Sequence, residues 1–266
     1  MFSFHLDKDS YFRIQRDHAR AFIIPFIEKV LSVTAGLRVL EVGCGEGGVL
    51  AAFLDRGCYG TGVELSPART AHAQRLLADC LKSGQVELIC ANIYDESLTL
   101  SFSERFDLIV LKDVVEHIPD QRRLLRRLAG FLSKNGILFF GFPPWQMPFG
   151  GHQQICQNPI LAHLPYYHLL PAFLYRALLK AGQESENTIK NLMDVKATGL
   201  SIEQFERYVR EAGLQVAARE LFLINPIYLY KFGWQPRVQF QWLSKLPYVR
   251  NFFTTAAFYV VSKPAV

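Results

Sequence analysis

Apolar residues along this chain recur in two periods. From Tyr11 to about Leu31 they fall at helical spacing, with Phe12, Ala19, Phe22, Ile23 and Phe26 available to one side. Beyond Arg38, short apolar runs alternate with helical stretches. Arg38–Val42, Gly60–Leu65, Val86–Cys90, Phe106–Leu111 and Gly136–Phe142 read as strands, and Gly48–Arg56, Ser66–Leu81 and Gln121–Leu132 as helices. Ser66-Pro67 supplies a cap and a proline for the first helical position. Apolar strands alternating with helices predict an α/β fold, a doubly wound and mostly parallel sheet covered on both faces. Ser201–Ala212 reads as a further helix, capped by Ser201 and stopped by Gly213, and Leu214–Ile224 and Ala256–Lys263 as closing strands.

One stretch breaks the pattern. From Asn135 to Tyr175, 41 consecutive residues contain no Asp, Glu, Lys or Arg, although 20% of the chain is charged. Six prolines beyond the fifth strand (Pro143, Pro144, Pro148, Pro159, Pro165, Pro171) exclude a membrane-spanning helix. An irregular apolar insertion past the C-terminal end of a strand is expected, at the ligand-binding edge of such a sheet. The organisation read from this is one domain over 1–266: an N-terminal helical segment (1–35), a ligand-binding core (36–142), a cap or lid (143–200), and a closing helix with strands (201–266).

Composition narrows the class. Half the residues are hydrophobic and 35 are aromatic, so a large core can be buried and global disorder is excluded. The net charge of +5 is mild. Five cysteines, an odd number without a CxxC pair, speak against a disulfide framework or a structural zinc and for a reducing compartment. Asp7, Lys8 and Asp9 precede the first apolar run, which Pro25 interrupts, so neither a leader peptide nor a membrane anchor is expected. The cytoplasm is the expected location.

The candidate chemistry begins at Glu41-Val42-Gly43-Cys44-Gly45-Glu46-Gly47-Gly48. It fits G-x-G-x-x-G, the dinucleotide pattern, and also E-x-G-x-G-x-G, found in enzymes that bind S-adenosylmethionine. A dinucleotide would bring its pyrophosphate to the helix N-terminus, where Glu41 and Glu46 oppose it. A sulfonium and an ammonium suit acidic surroundings, which favours S-adenosylmethionine. Glu64, ending the second strand, can accept from both hydroxyls of a ribose. Asn92, after the third strand, can accept from an adenine amino group, or simply close a turn.

Together with Phe106-Asp107-Leu108-Ile109-Val110, Val115-Glu116-His117-Ile118 and Leu132-Ser133-Lys134-Asn135-Gly136-Ile137-Leu138, these residues make the chain resemble the class I S-adenosylmethionine-dependent methyltransferases. Within them it is similar to the bacterial small-molecule group of ubiquinone- and menaquinone-biosynthesis type (types 11, 12 and 23). The resemblance spans residues 38–142. It implies a Rossmann-like, seven-stranded sheet with a reversed last hairpin, S-adenosyl-L-methionine as cofactor and S-adenosyl-L-homocysteine as product. It also implies cofactor contacts from Glu41, Gly43, Cys44, Gly45, Gly47, Glu64, Leu65, Asn92, Ile93, Lys112 and Asp113. Asn92 stands where the family usually has Asp. Asn135 replaces the usual glycine of the turn before the fifth strand, where a left-handed backbone is expected.

Methyl transfer asks the protein to align a nucleophile, exclude water and, for a hydroxyl, remove a proton. Trp145, Met147, Phe149, Tyr166, Tyr167 and Phe173 are expected either to line a pocket for a small, apolar or aromatic methyl acceptor or to pack a helical cap or a homodimer face. His152, between two glycines and Gln153, is the candidate general base. Glu116-His117 is read as shaping the turn after the fourth strand. No residue set has metal-ligand spacing, so no metal is expected. The alternatives are an RNA or protein methyltransferase using the Arg122, Arg123, Arg126 and Arg127 stripe, or a non-catalytic cofactor-binding partner protein. Nucleic acid is not the expected partner, since a solvated helix face explains the stripe and no RNA-binding module is attached.

Overall fold

The computed structural model describes residues 7–264. Asp7 caps α1 (Lys8–His18), its carboxylate accepting from the N–H groups of Asp9 and Ser10. The helix runs on through a π-helical turn (Ala19–Ile23) into α2 (Ile24–Ile27). Pro25 has no N–H for the carbonyl of Ala21, and the wider turn absorbs the mismatch. There follow β1 (Arg38–Val42), α3 (Gly48–Leu54), β2 (Tyr59–Glu64), α4 (Pro67–Leu76), α5 (Ala78–Lys82) and β3 (Val86–Cys90). Next come α6 (Ser97–Phe102), β4 (Phe106–Lys112), α7 (Gln121–Phe131) and β5 (Leu132–Phe142). The cap carries α8 (Pro159–His163), α9 (Ala172–Ala181) and α10 (Glu186–Thr198). The chain closes with α11 (Ile202–Glu211), β6 (Gln215–Ile224), α12 (Tyr228–Phe232), β7 (Arg237–Val238), α13 (Gln241–Ser244), α14 (Val249–Phe252) and β8 (Ala256–Ser262).

The strands form one sheet in the order β3-β2-β1-β4-β5-β8-β6-β7. The first five are parallel, and β8 lies antiparallel between β5 and β6. The count exceeds the expected seven by β7, a two-residue strand on the edge of β6. Side chains alternate across the sheet. Leu40, Val42, Ile109, Leu111, Phe140 and Phe142 pack on the side of α7 and α11, while Val39, Leu108, Val110, Phe139 and Phe258 meet α1, α2 and α3 on the other. This buries both faces, as the apolar strands require.

Two expectations need correction here. Asn135 is not left-handed: β5 starts at Leu132 and its register against β4 shifts between Phe106 and Leu108 instead. The cap is irregular only at first, since α8, α9 and α10 enclose their own apolar cluster around Tyr175, Leu179, Ile189 and Leu192. Pro159 and Pro171 open helices rather than prevent them. No residue from 143 to 200 joins the sheet. The cap leaves from the C-terminal end of β5. Because β6 runs parallel to β5, the connection 225–255 leaves from the same edge.

Candidate functional site

A cavity of about 1520 Å³ lies along that edge. It is lined from α1, from the loops after β1 to β4, from the cap and from the segment after β6. Few single ligands need so much room: pockets for small molecules usually hold about 300–1,000 Å³.

Gly43, Cys44, Glu46 and Gly48 of the glycine loop line the cavity, whereas Gly45 and Gly47 do not. Gly43, Gly45 and Gly47 all have positive φ (68°, 55° and 84°), the region that glycine enters without penalty. Neighbouring side chains add to the constraint of the backbone angle. A Cβ on Gly45 would stand 2.1 Å from a guanidinium nitrogen of Arg69, and one on Gly43 would stand 2.7 Å from Val114. Glu64 faces the loop and is 6% exposed. Its carboxylate accepts from the N–H of Gly45 at 2.9 Å and from that of Ser66 at 2.9 Å. Glu41 lies beneath, accepting from the Leu50 N–H at 2.8 Å, and burial pushes its carboxyl up to about 8. Glu46 is not the lone negative charge its position suggested, because Arg69 pairs with it at 3.0 Å. Cys44 is buried beside the loop, where burial raises its thiol.

Leu65, Asn92 and Ile93 also line the cavity. Leu65 is 68% exposed and Ile93 is buried. The Asn92 carboxamide oxygen accepts from the Tyr94 N–H at 3.0 Å, so it does close a turn, while the side chain still borders the cavity. At the end of β4 the buried Lys112 pairs with Asp113, whose φ is +54°. Lys231, from α12, lines the same wall; burial lowers it to about 8, against the pull of Asp113. Nothing in the local sequence marked Lys231 or Tyr228, since the connection from β6 to β8 brings them back across the edge. Tyr11, Phe12 and Gln15 of α1 complete that wall.

Three polar side chains from two segments also line the cavity. Glu116 and His117 form a 3₁₀ turn after β4, and His152 belongs to the cap. The rings of His117 and His152 are 4.7 Å apart and edge to face, and His117 Nε2 is 3.8 Å from the Glu116 carboxylate. One ligand-type atom of each residue lies within 4.8 Å of the others. Both Glu116 oxygens are buried without a hydrogen-bond partner, and burial drives that carboxyl well above its ordinary range. Burial lowers His152 to about 4, with His117 adding to the effect. His152 therefore stands neutral near pH 7. Its own φ is +56°, whereas Gly150 and Gly151 are needed for closeness: Cβ atoms there would meet the Trp145 carbonyl at 2.2 Å and His168 at 2.3 Å.

Most of the expected aromatic lining is elsewhere. Met147 and Phe149 border the cavity, but Trp145 packs on His168, Tyr167 on Tyr175, and Tyr166 on Phe252. Phe173 is 71% exposed. Tyr228, Phe232 and Trp234 take their place. His168 is buried against the Trp145 carbonyl at 2.8 Å, and His163 bonds the Pro159 carbonyl within α8. The arginine stripe is largely engaged: Arg122 pairs with Glu211 at 3.1 Å, Arg123 lies over Tyr94, and Arg127 covers Phe131 and donates to the Asp95 carbonyl. That favours the helix-face reading over a nucleic-acid surface.

The pattern of a methyltransferase domain family matches residues 14–218. A ubiquinone biosynthesis O-methyltransferase of Pseudomonas putida is 33% identical over 134 residues, 50% of this chain and 55% of the relative. The match thus spans about half the length of such curated relatives. Among solved structures, one from Thermotoga maritima, described as a possible histamine N-methyltransferase, aligns with a TM-score of 0.54 and 16% identity over 98% of this chain and 97% of its own. An S-adenosylmethionine-dependent methyltransferase of Mesorhizobium loti gives 0.55 and 16%, over 90% and 96%. These likenesses establish the fold.

Proposed function

The chain belongs to the class I S-adenosylmethionine-dependent methyltransferases of bacterial small-molecule type, and from that premise we propose that it methylates a hydroxyl of a small apolar or aromatic acceptor. The observation that carries this reading is that one cavity is lined both by the glycine loop with Glu64 and by the neutral His152 with His117.

The residues fit the cofactor. The left-handed glycines let the loop turn tightly so that Gly43 and Cys44 border the cavity, and Glu64 presents a carboxylate where a ribose is expected. Gly43 and Cys44 would border the methionine part, with Gly45 and Gly47 shaping the turn behind them, Glu64 and Leu65 the ribose, and Asn92 with Ile93 the adenine; Glu41, Lys112 and Asp113 support the loop and the adjoining wall. S-adenosylmethionine supplies an electrophilic methyl carbon on a sulfonium. The chain's own residues do the rest. The cap (143–200) excludes water, and Met147, Phe149 and Tyr228 hold the acceptor. His152 takes the hydroxyl proton at a ring nitrogen as the oxygen attacks. O-methylation is the activity named for the Pseudomonas relative.

The test has two arms. Calorimetry with S-adenosylhomocysteine measures cofactor binding, and transfer of labelled methyl to a panel of hydroxylated aromatic compounds measures acceptor choice. Absence of cofactor binding refutes the reading. Methylation confined to amines or to RNA refutes the acceptor class alone.

A further inference from the structure

Exposed apolar side chains run from the cavity's opening along the 225–255 connection. Phe232 and Trp234 line the cavity and are also 39% and 58% exposed, so they stand at its opening. Beyond them, Phe240, Trp242, Tyr248 and Phe253 are 44%, 65%, 70% and 46% exposed. The cap adds Ile160, Leu164 and Phe173, and Tyr166 packs on Phe252 at 6.2 Å, joining the two segments into one rim. Both segments leave the sheet at its ligand edge. Exposed aromatic residues in such number mark a docking surface rather than ordinary scatter.

Charge identifies the occupant. From Leu221 to the C-terminus the sequence contains no Asp or Glu, yet Arg237 and Lys245 are exposed among the aromatic residues. The Arg237 guanidinium lies over the Phe240 ring at 5.0 Å, apolar body and cation side by side. Trp and Tyr interleaved with Lys and Arg suit the boundary between lipid headgroups and acyl chains. No helix of the described residues is long and apolar enough to cross a membrane, so such a contact would lie on the bilayer, not through it.

We propose that this rim seats the protein on an anionic lipid bilayer, with the cavity opening toward the lipid. An apolar acceptor then passes from the bilayer into the cavity; this consequence rests on the methyl-transfer reading, whereas the docking itself does not.

Cosedimentation of the full chain with vesicles tests it. Vesicles of phosphatidylcholine alone are compared with vesicles containing about a quarter phosphatidylglycerol, with an expected preference for the latter of about tenfold that falls with salt. The double variant Phe240→Ser/Trp242→Ser should lose most of this binding while keeping wild-type affinity for S-adenosylhomocysteine. Should that variant not fold, Arg237→Glu/Lys245→Glu, at two exposed positions, carries the same test and should abolish the preference for anionic vesicles. Equal or absent binding to both vesicle types overturns the proposal. So does a folded variant that binds vesicles like the wild type, or a rim that sedimentation velocity shows to be covered by a second copy of the chain.

Discussion

Glu64→Ala probes the proposed cofactor site, and the structure sets the size of the effect. The carboxylate accepts two backbone hydrogen bonds, from Gly45 and Ser66, both at 2.9 Å and at a 6% exposed residue. A hydrogen bond to a charged group contributes about 1.5–3 kcal/mol, so the pair sets an upper range of about 3–6 kcal/mol. Water entering the open cavity can satisfy part of the freed donors, which places the expected loss near the lower end, about 3 kcal/mol. At roughly 2–4 °C per kcal/mol for a chain of this size, the ligand-free protein should melt about 6–12 °C lower. Losing the ribose acceptor should weaken S-adenosylhomocysteine by a further 1.5–3 kcal/mol, about 10- to 150-fold. Scanning calorimetry without ligand and titration calorimetry below the melting range separate the two effects. A variant that melts lower but binds S-adenosylhomocysteine as the wild type does would confine Glu64 to loop support. Binding of NAD by the wild type would refute the cofactor assignment.

His152→Ala should lower turnover roughly 10²- to 10⁴-fold without changing cofactor affinity, with partial recovery at high pH. With His152 lowered to about 4, the wild-type rate should be flat from about pH 5 through 7; a limb near pH 8 would move the role to Lys231, lowered to about 8. Chelation by EDTA should leave turnover unchanged, whereas a loss restored by a divalent cation would reassign Glu116, His117 and His152 as its ligands. His152 and His168 are both lowered to about 4 from an ordinary 6.5, so the unfolded chain takes up their protons first. Their stabilising contribution is complete above about pH 6.5 and is lost as pH falls toward 4, so the melting temperature should drop across that window, and less steeply in His168→Gln.

What was legible in the sequence was local. Hydrophobic period separated strand from helix, and glycines spaced to turn β1 into α3 revealed the loop, because each signal depends on residues a few positions apart. The place of Glu64 beside the cavity was legible for the same reason: it ends a strand, and the end of a strand in such a sheet is the ligand edge. What tertiary structure decided were meetings between distant segments. Arg69 neutralises Glu46 across 23 positions. His152 reaches His117 only because the cap folds back over the edge, and Tyr228, Lys231 and Trp234 supply walls expected from Trp145, Tyr167 and Phe173. A helical cap is one reading of the segment, but where its helices start is not legible, since Pro159 and Pro171 look like breakers until their N-terminal places are known. Periodicity says which side of a segment is apolar. It does not say which neighbour will cover it, because that depends on where a long connection returns, and the burial of groups hundreds of residues apart selects the return.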